Sequence, residues 1–133
     1  MRTVLACLVA VFVSGCVAAC GSGQPLRVTS IQLGRALNED HTVSSFTTTF
    51  TPDDSVYLSV LTTGVGSGTI SVRWKYGGAV IAEPKREVSY RIDAATDFRL
   101  QSGGSFPTGS YSVEVFLNGQ SAATRAFSVQ NPR

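Results

Sequence analysis

The cysteines of this 133-residue chain stop at position 20: Cys7, Cys16 and Cys20 are the three, and none follows. The region beyond has no disulfide, no thiolate metal site and no cysteine nucleophile to offer. Imidazole is almost as scarce. His41 is the only histidine, which argues against a zinc or copper site of the usual kind, built from several Cys and His ligands. Charge is sparse at 15% of residues. Past the first twenty residues ten Lys and Arg face nine Asp and Glu, a balance that predicts no nucleic-acid partner. No apolar run approaches the roughly 20 residues needed to span a bilayer, because the run from Val4 to Val13 is broken by Ser14 and Gly15. Helical spacing of apolar residues never persists beyond a turn.

What is abundant is β-structure. Thr, Ser, Val and aromatic residues dominate after position 26, and Gly and Pro punctuate at short intervals. From Thr69 to Tyr76, Ile70, Val72, Trp74 and Tyr76 alternate with Thr69, Ser71, Arg73 and Lys75. Successive strand side chains point to opposite faces, so one set is core and the other solvated. Gly109 to Leu117 repeats the pattern: Tyr111, Val113, Val115 and Leu117 share one face, Ser112, Glu114 and Phe116 the other. Asn118-Gly119 follows, a pair that accepts positive φ at both centres of a type I′ turn. It predicts a tight hairpin into a return strand from Gln120 to Val129, with Phe127 and Val129 inward.

Thr51-Pro52-Asp53-Asp54 is turn chemistry ahead of a strand from Ser55 to Thr62, and Gly64 to Gly68 links that strand to the Trp74 strand. Weaker strands are expected at Leu26 to Leu33, Ser45 to Phe50, Ala79 to Ala82, Glu87 to Ile92 and Thr96 to Gln101. Seven to nine short strands separated by turns argue for an all-β fold, a single antiparallel sandwich without internal repeats.

The opening segment has a basic start, Met1-Arg2-Thr3, then the apolar run, then small residues before cysteine. Two such sites overlap, Val13-Ser14-Gly15-Cys16 and Val17-Ala18-Ala19-Cys20. The pattern resembles the lipobox of bacterial lipoproteins. That resemblance implies a signal peptide cut just before the Cys, a diacylglycerol on its sulfur and usually an acyl chain on its freed amine. Cys16 has the tidier spacing from the apolar run. Cys20 precedes Gly21-Ser22-Gly23-Gln24-Pro25, a polar, flexible composition suited to a tether. Anchoring at Cys16 would leave Cys20 an unpaired thiol in an oxidising compartment. Lipidation is therefore assigned to Cys20, with Cys16 the alternative; Cys7 is an apolar residue of the run. The resulting division is a signal peptide over 1–19, a tether over 20–26 and a sandwich over 27–130. The resemblance also implies a lipid-anchored place in the cell envelope. Neither Gly21 nor Val17 supplies the Asp that follows Cys in many inner-membrane lipoproteins, so in a Gram-negative cell the reading leans to the outer membrane, facing the periplasm or the cell surface.

The landmarks of the sandwich are similar to those of immunoglobulin-like and fibronectin-like domains. Trp74 stands mid-strand where such folds carry a core Trp on their third strand, and Gly109-Ser110-Tyr111-Ser112-Val113 resembles the tyrosine corner. Val113 occupies the place of an antibody-domain cysteine, with Leu58 or Val60 expected to oppose it. The absent disulfide favours the wider immunoglobulin-like group over antibody domains.

Against that scaffold, catalytic constellations are thin. His41 with Glu39 and Asp40 forms a loop in which three adjacent residues cannot converge on one ion, so a solvated turn is expected and no metal. A serine hydrolase would need His41 as its sole imidazole, and no Ser lies in a Gly-x-Ser-x-Gly elbow. Gly64 to Gly68 leads into a strand, whereas a phosphate-cradling loop opens a helix. Asp53 with Asp54, and Asp93 with Asp97, are better explained as turn acids than as glycosidic pairs. Glu83-Pro84-Lys85-Arg86-Glu87 reads as a solvated loop. No catalytic residue and no cofactor is assigned.

Outward aromatics are the remaining candidates. Phe116 is the possible partner surface and Tyr57 a weaker one, on the opposite sheet. The expected role is that of a membrane-anchored, non-catalytic lipoprotein whose sandwich binds a protein or cell-wall partner. The alternative is an inhibitor or chaperone acting through the loop Gln101 to Thr108 or a strand edge. A small enzyme or solute binder would need a concave pocket with convergent polar groups.

Overall fold

The computed structural model describes residues 24–132. The expected signal peptide, Cys16, Cys20 and the tether as far as Gly23 lie outside the described residues. Nine strands follow one another: β1 Arg27–Gly34, β2 Thr49–Phe50, β3 Val56–Thr63, β4 Gly66–Tyr76, β5 Ala79–Ala82, β6 Lys85–Tyr90, β7 Ala94–Leu100, β8 Gly109–Leu117 and β9 Gln120–Val129. They form two sheets, one ordered β1-β3-β7 and one ordered β2-β9-β8-β4 with both β5 and β6 paired to β4. The architecture is the expected all-β sandwich. Pairing is antiparallel apart from β2, which runs parallel to β9.

Alternation builds the core. Leu58 and Val60 of one sheet and Val72, Trp74, Val113 and Val115 of the other are fully buried in a common cluster. Trp74 meets Phe127 edge-on at 6.0 Å, and Phe127 stacks on Tyr111 at 5.2 Å. Each such buried side chain contributes roughly 1.5–3 kcal/mol through apolar surface removed from water. The Tyr111 hydroxyl donates to Pro107 O at 2.6 Å, four residues upstream, which is the bond of a tyrosine corner. Burial, with Tyr76 beside it, pushes that phenol's pKa up. The hairpin turn is also as expected, with φ of 53° at Asn118 and 85° at Gly119.

Five features differ from expectation. The strand anticipated over Ser45 to Phe50 contracts to Thr49–Phe50, and Phe46 makes only an isolated bridge to Gly34. The cause is a change of sheet: the chain leaves β1 in one sheet and pairs with β9 in the other, so residues 35–48 must cross over. Counting β2, Trp74 lies on the fourth strand. The Gly64 to Gly68 linker is shorter than expected, since Gly66 already pairs with Tyr90. Lys85 and Arg86, expected in a solvated loop, pair with Ser71 and Ile70; their exposed side chains conceal a strand behind Pro84. The domain also begins before Arg27: Pro25 bridges Val65, and Leu26 packs on the core.

The crossing segment forms a strap. Leu37 bridges Val43, and the Val43 N–H donates to Gln32 Oε1 at 3.1 Å. Ser59 pairs with Gln32 on one side and Asp97 on the other. It alternates with Leu58 and Val60 onto the outer face, yet is completely buried, and the strap bonds to its neighbours on both sides, Gln32 and Asp97.

Candidate functional site

The chain enters the domain at one pole. The Val65 N–H donates to Gln24 O at 2.8 Å, tying the entering segment to the β3–β4 turn. The turn closes on Gly64, whose φ is 94° and whose position would drive a Cβ into the Pro25 carbonyl. The β6–β7 turn, Arg91 to Asp93, lies next to it, since Tyr90 pairs with Gly66 and Ala94 with Thr62. Asp93 accepts the Thr63 hydroxyl at 2.6 Å. Between these polar ties two aliphatic side chains stand in solvent: Val65 is 45% exposed and Ile92 76%. The sequence pattern places Ile92 at the end of a strand, and its position past the last pairing of β6 frees it.

On the outer face of the three-stranded sheet, the strap delivers His41 to β7. Its Nδ1 lies 2.8 Å from Asp97 Oδ1, although 56 residues separate them. His41 adopts φ of 72° to reach it, a left-handed conformation in which histidine is enriched among non-glycine residues. Asp40 beside it accepts both the hydroxyl and the N–H of Thr42, which hold its carboxyl below the usual range. The loop at Glu39, Asp40 and His41 is thus a turn, as expected, but its imidazole is engaged. Arg86 crosses from β6 to donate to Asp97 O at 2.9 Å while its guanidinium covers Phe98. Ser59 stands opposite Asp97 in the register, so a serine, an imidazole and a carboxylate do share this face. The Ser59 hydroxyl, however, is enclosed and makes no hydrogen bond; nothing in this arrangement activates it as a nucleophile. Among the described residues, no group of three or more His, Cys, Asp or Glu is placed to hold a metal ion.

Phe116 and Tyr57 fall on outer faces of different sheets, as their strand positions require. Both are half-buried beneath arginines. Arg73 lies 4.7 Å over the Phe116 ring and pairs with Glu83 at 3.1 Å, and Arg99 lies 5.6 Å over Tyr57. Sequence alternation predicted outward aromatics, but the guanidinium lids come from cross-strand neighbours.

The opposite pole is closed by its own polar groups. Asp54 accepts from Arg35 Nε at 2.8 Å and from the Thr51 N–H at 2.7 Å. Burial acts to raise its pKa, but the Arg35 and Thr51 bonds outweigh that and hold it below the ordinary value. Asp53 accepts the Ser105 hydroxyl, and the Phe106 N–H donates to Pro52 O. The loop Gln101 to Thr108 is exposed from Gln101 to Ser105 and pinned at buried Phe106. Both carboxylate pairs considered from the sequence are divided between separate partners. At the free edge of the six-stranded sheet, Val80 and Ile81 of β5 are 52% and 46% exposed.

Among solved structures, the fold is similar to that of an immunoglobulin-like protein from Pseudomonas aeruginosa, with a TM-score of 0.54 at 11% identity over 83% of this chain and 100% of that one. No protein-family model and no curated protein sequence matches the chain.

Proposed function

We propose that this chain is a cell-envelope lipoprotein, held to a membrane through acylated Cys20 and acting through its immunoglobulin-like sandwich in a non-catalytic binding or structural role. The observation that carries the reading is the order of parts in the sequence: apolar run, small residues, Cys20, then a short polar stretch leading directly to Gln24, where the domain starts. The sandwich supports it from the other side, since Ser59 is enclosed and His41, Asp97, Asp93, Asp53 and Asp54 are each engaged in structural contacts. The partner is expected to be a protein or cell-wall component met in the envelope, with Phe116 beneath Arg73 as one surface for it.

Incorporation of labelled palmitate in cells tests the anchor. Cys20→Ser should abolish labelling and Cys16→Ser should leave it unchanged. Labelling that survives Cys20→Ser but not Cys16→Ser moves the anchor to Cys16, and labelling unaffected by both substitutions together overturns the reading. A second mode, strand addition by a partner, is favoured by one feature: β5 is a sheet edge bearing exposed Val80 and Ile81. In-cell crosslinking from position 80 would capture such a partner.

A further inference from the structure

We infer that the pole where the chain enters is a membrane-contacting surface, with Val65 and Ile92 resting in the headgroup region of a phospholipid bilayer; the inference rests on acylation at Cys20. The argument begins with reach. Cys20 and Gln24 are four residues apart, and a fully extended chain covers at most about 3.3–3.6 Å per residue. Gln24 is therefore held within about 14 Å of an acylated cysteine, a distance comparable to half the hydrocarbon core of a bilayer, roughly 30 Å thick. Gln24 is bonded to Val65 through its carbonyl. The side chain next to the anchoring point is thus one of the two aliphatics left in solvent at this pole.

Ile92 is the most exposed of the large hydrophobic side chains among the described residues. It sits in the turn paired beside Val65, so the short tether brings both to the membrane together. Arg27 and Arg91 flank them, exposed and without a salt bridge among the described residues. Long cationic side chains at such a rim can keep their stems on apolar surface and their heads at headgroup phosphates. Asp93, the acid of the same turn, accepts the Thr63 hydroxyl, and the two arginines outnumber it at this rim. Apolar tips with basic flanks are the composition that settles at a lipid interface. The bilayer is the one occupant whose proximity the tether itself imposes.

The test uses the full-length lipidated protein in vesicles of phosphatidylethanolamine and phosphatidylglycerol. Ile92→Cys is labelled with an environment-sensitive fluorophore and compared with Ser102→Cys, at the opposite pole, each with and without a lipid carrying a quencher at its headgroup end. The label at position 92 should shift to the blue and lose more than half of its emission to the quencher; the label at 102 should lose almost none. Val65→Cys should behave as position 92 does, which guards against a misfolded single variant. Mass spectrometry of the same samples reports acylation. With Cys20 acylated, equal quenching at 92 and 102, or none at 92, overturns the membrane contact and leaves the anchor standing. Acylation at Cys16 or at neither cysteine overturns the anchor reading, and the contact with it.

Discussion

At the pole away from the entering chain, polar side chains close on one another: Asp54 on Arg35 and Thr51, Asp53 on Ser105, Tyr111 on Pro107 and Tyr76 on Thr108. At the entering pole the turns are as tight, but Val65 and Ile92 point to water. The first pole has its polar groups tied to one another, although Ile81 beside the Gln101 to Phe106 loop and Phe46 bridged to Gly34 are exposed there too. The second leaves Val65 and Ile92 uncovered beside Gln24, where the described chain enters. Both hang on one core, so the contrast concerns how each pole is finished and owes nothing to how the sandwich is held together.

Three substitutions sharpen that distinction, in descending order of effect. Trp74→Ala removes the largest fully buried side chain and should lower unfolding free energy by about 3–5 kcal/mol, measured by denaturant titration, loosening both poles alike. Protection from hydrogen exchange retained at one pole alone would show that the poles are not served by a common core. Gly64→Ala strikes the entering pole: a φ of 94° and the Pro25 carbonyl oppose a Cβ, and about 1–3 kcal/mol should be lost. Exchange at Val65 should rise while Tyr111 stays protected.

Asp54→Asn strikes the other pole and should cost about 1 kcal/mol, because the ion pair is solvent-screened and the turn hydrogen bond is partly retained. Its pH dependence is specific. The folded carboxyl titrates below the ordinary 3.8, so its stabilisation is fully present above that value and disappears as pH falls through the lower folded value. The gap between wild type and variant should therefore hold at neutral pH and close in acid. A gap independent of pH would assign the effect to the turn alone.

The parts legible in the sequence are those governed by local rules. Period-two alternation placed Trp74, Val113 and Val115 inward, Asn118-Gly119 announced its own turn, and Tyr111 found its upstream carbonyl. The strap was not legible. Its two apolar bridge residues, Leu37 and Val43, carry no periodicity, and the His41–Asp97 contact joins segments 56 residues apart. Ser59 is buried on the outer face between Gln32 and Asp97, to both of which the strap bonds, a tertiary fact that no strand pattern contains. Ile92 looks like the tail of a strand in the sequence, since nothing in Ser-Tyr-Arg-Ile marks where pairing with β4 stops. Lys85 and Arg86 misled in the opposite sense: charge implied a loop where backbone pairing continues. For the proposed lipidation of Cys20, the sequence pattern is the whole argument.

The antiparallel pairing of β1 with β3 has a mechanical consequence. Their hydrogen bonds lie across the strand direction, and they run from Arg27 opposite Thr63 to Gly34 opposite Tyr57. If the sandwich is held at its far pole and pulled through its entering segment, tension enters at Gln24 and travels along β1. The load is then shared by the whole ladder at once, in shear, and no single bond is peeled first. A pull on the entering segment is thus met by all of the β1–β3 pairing together.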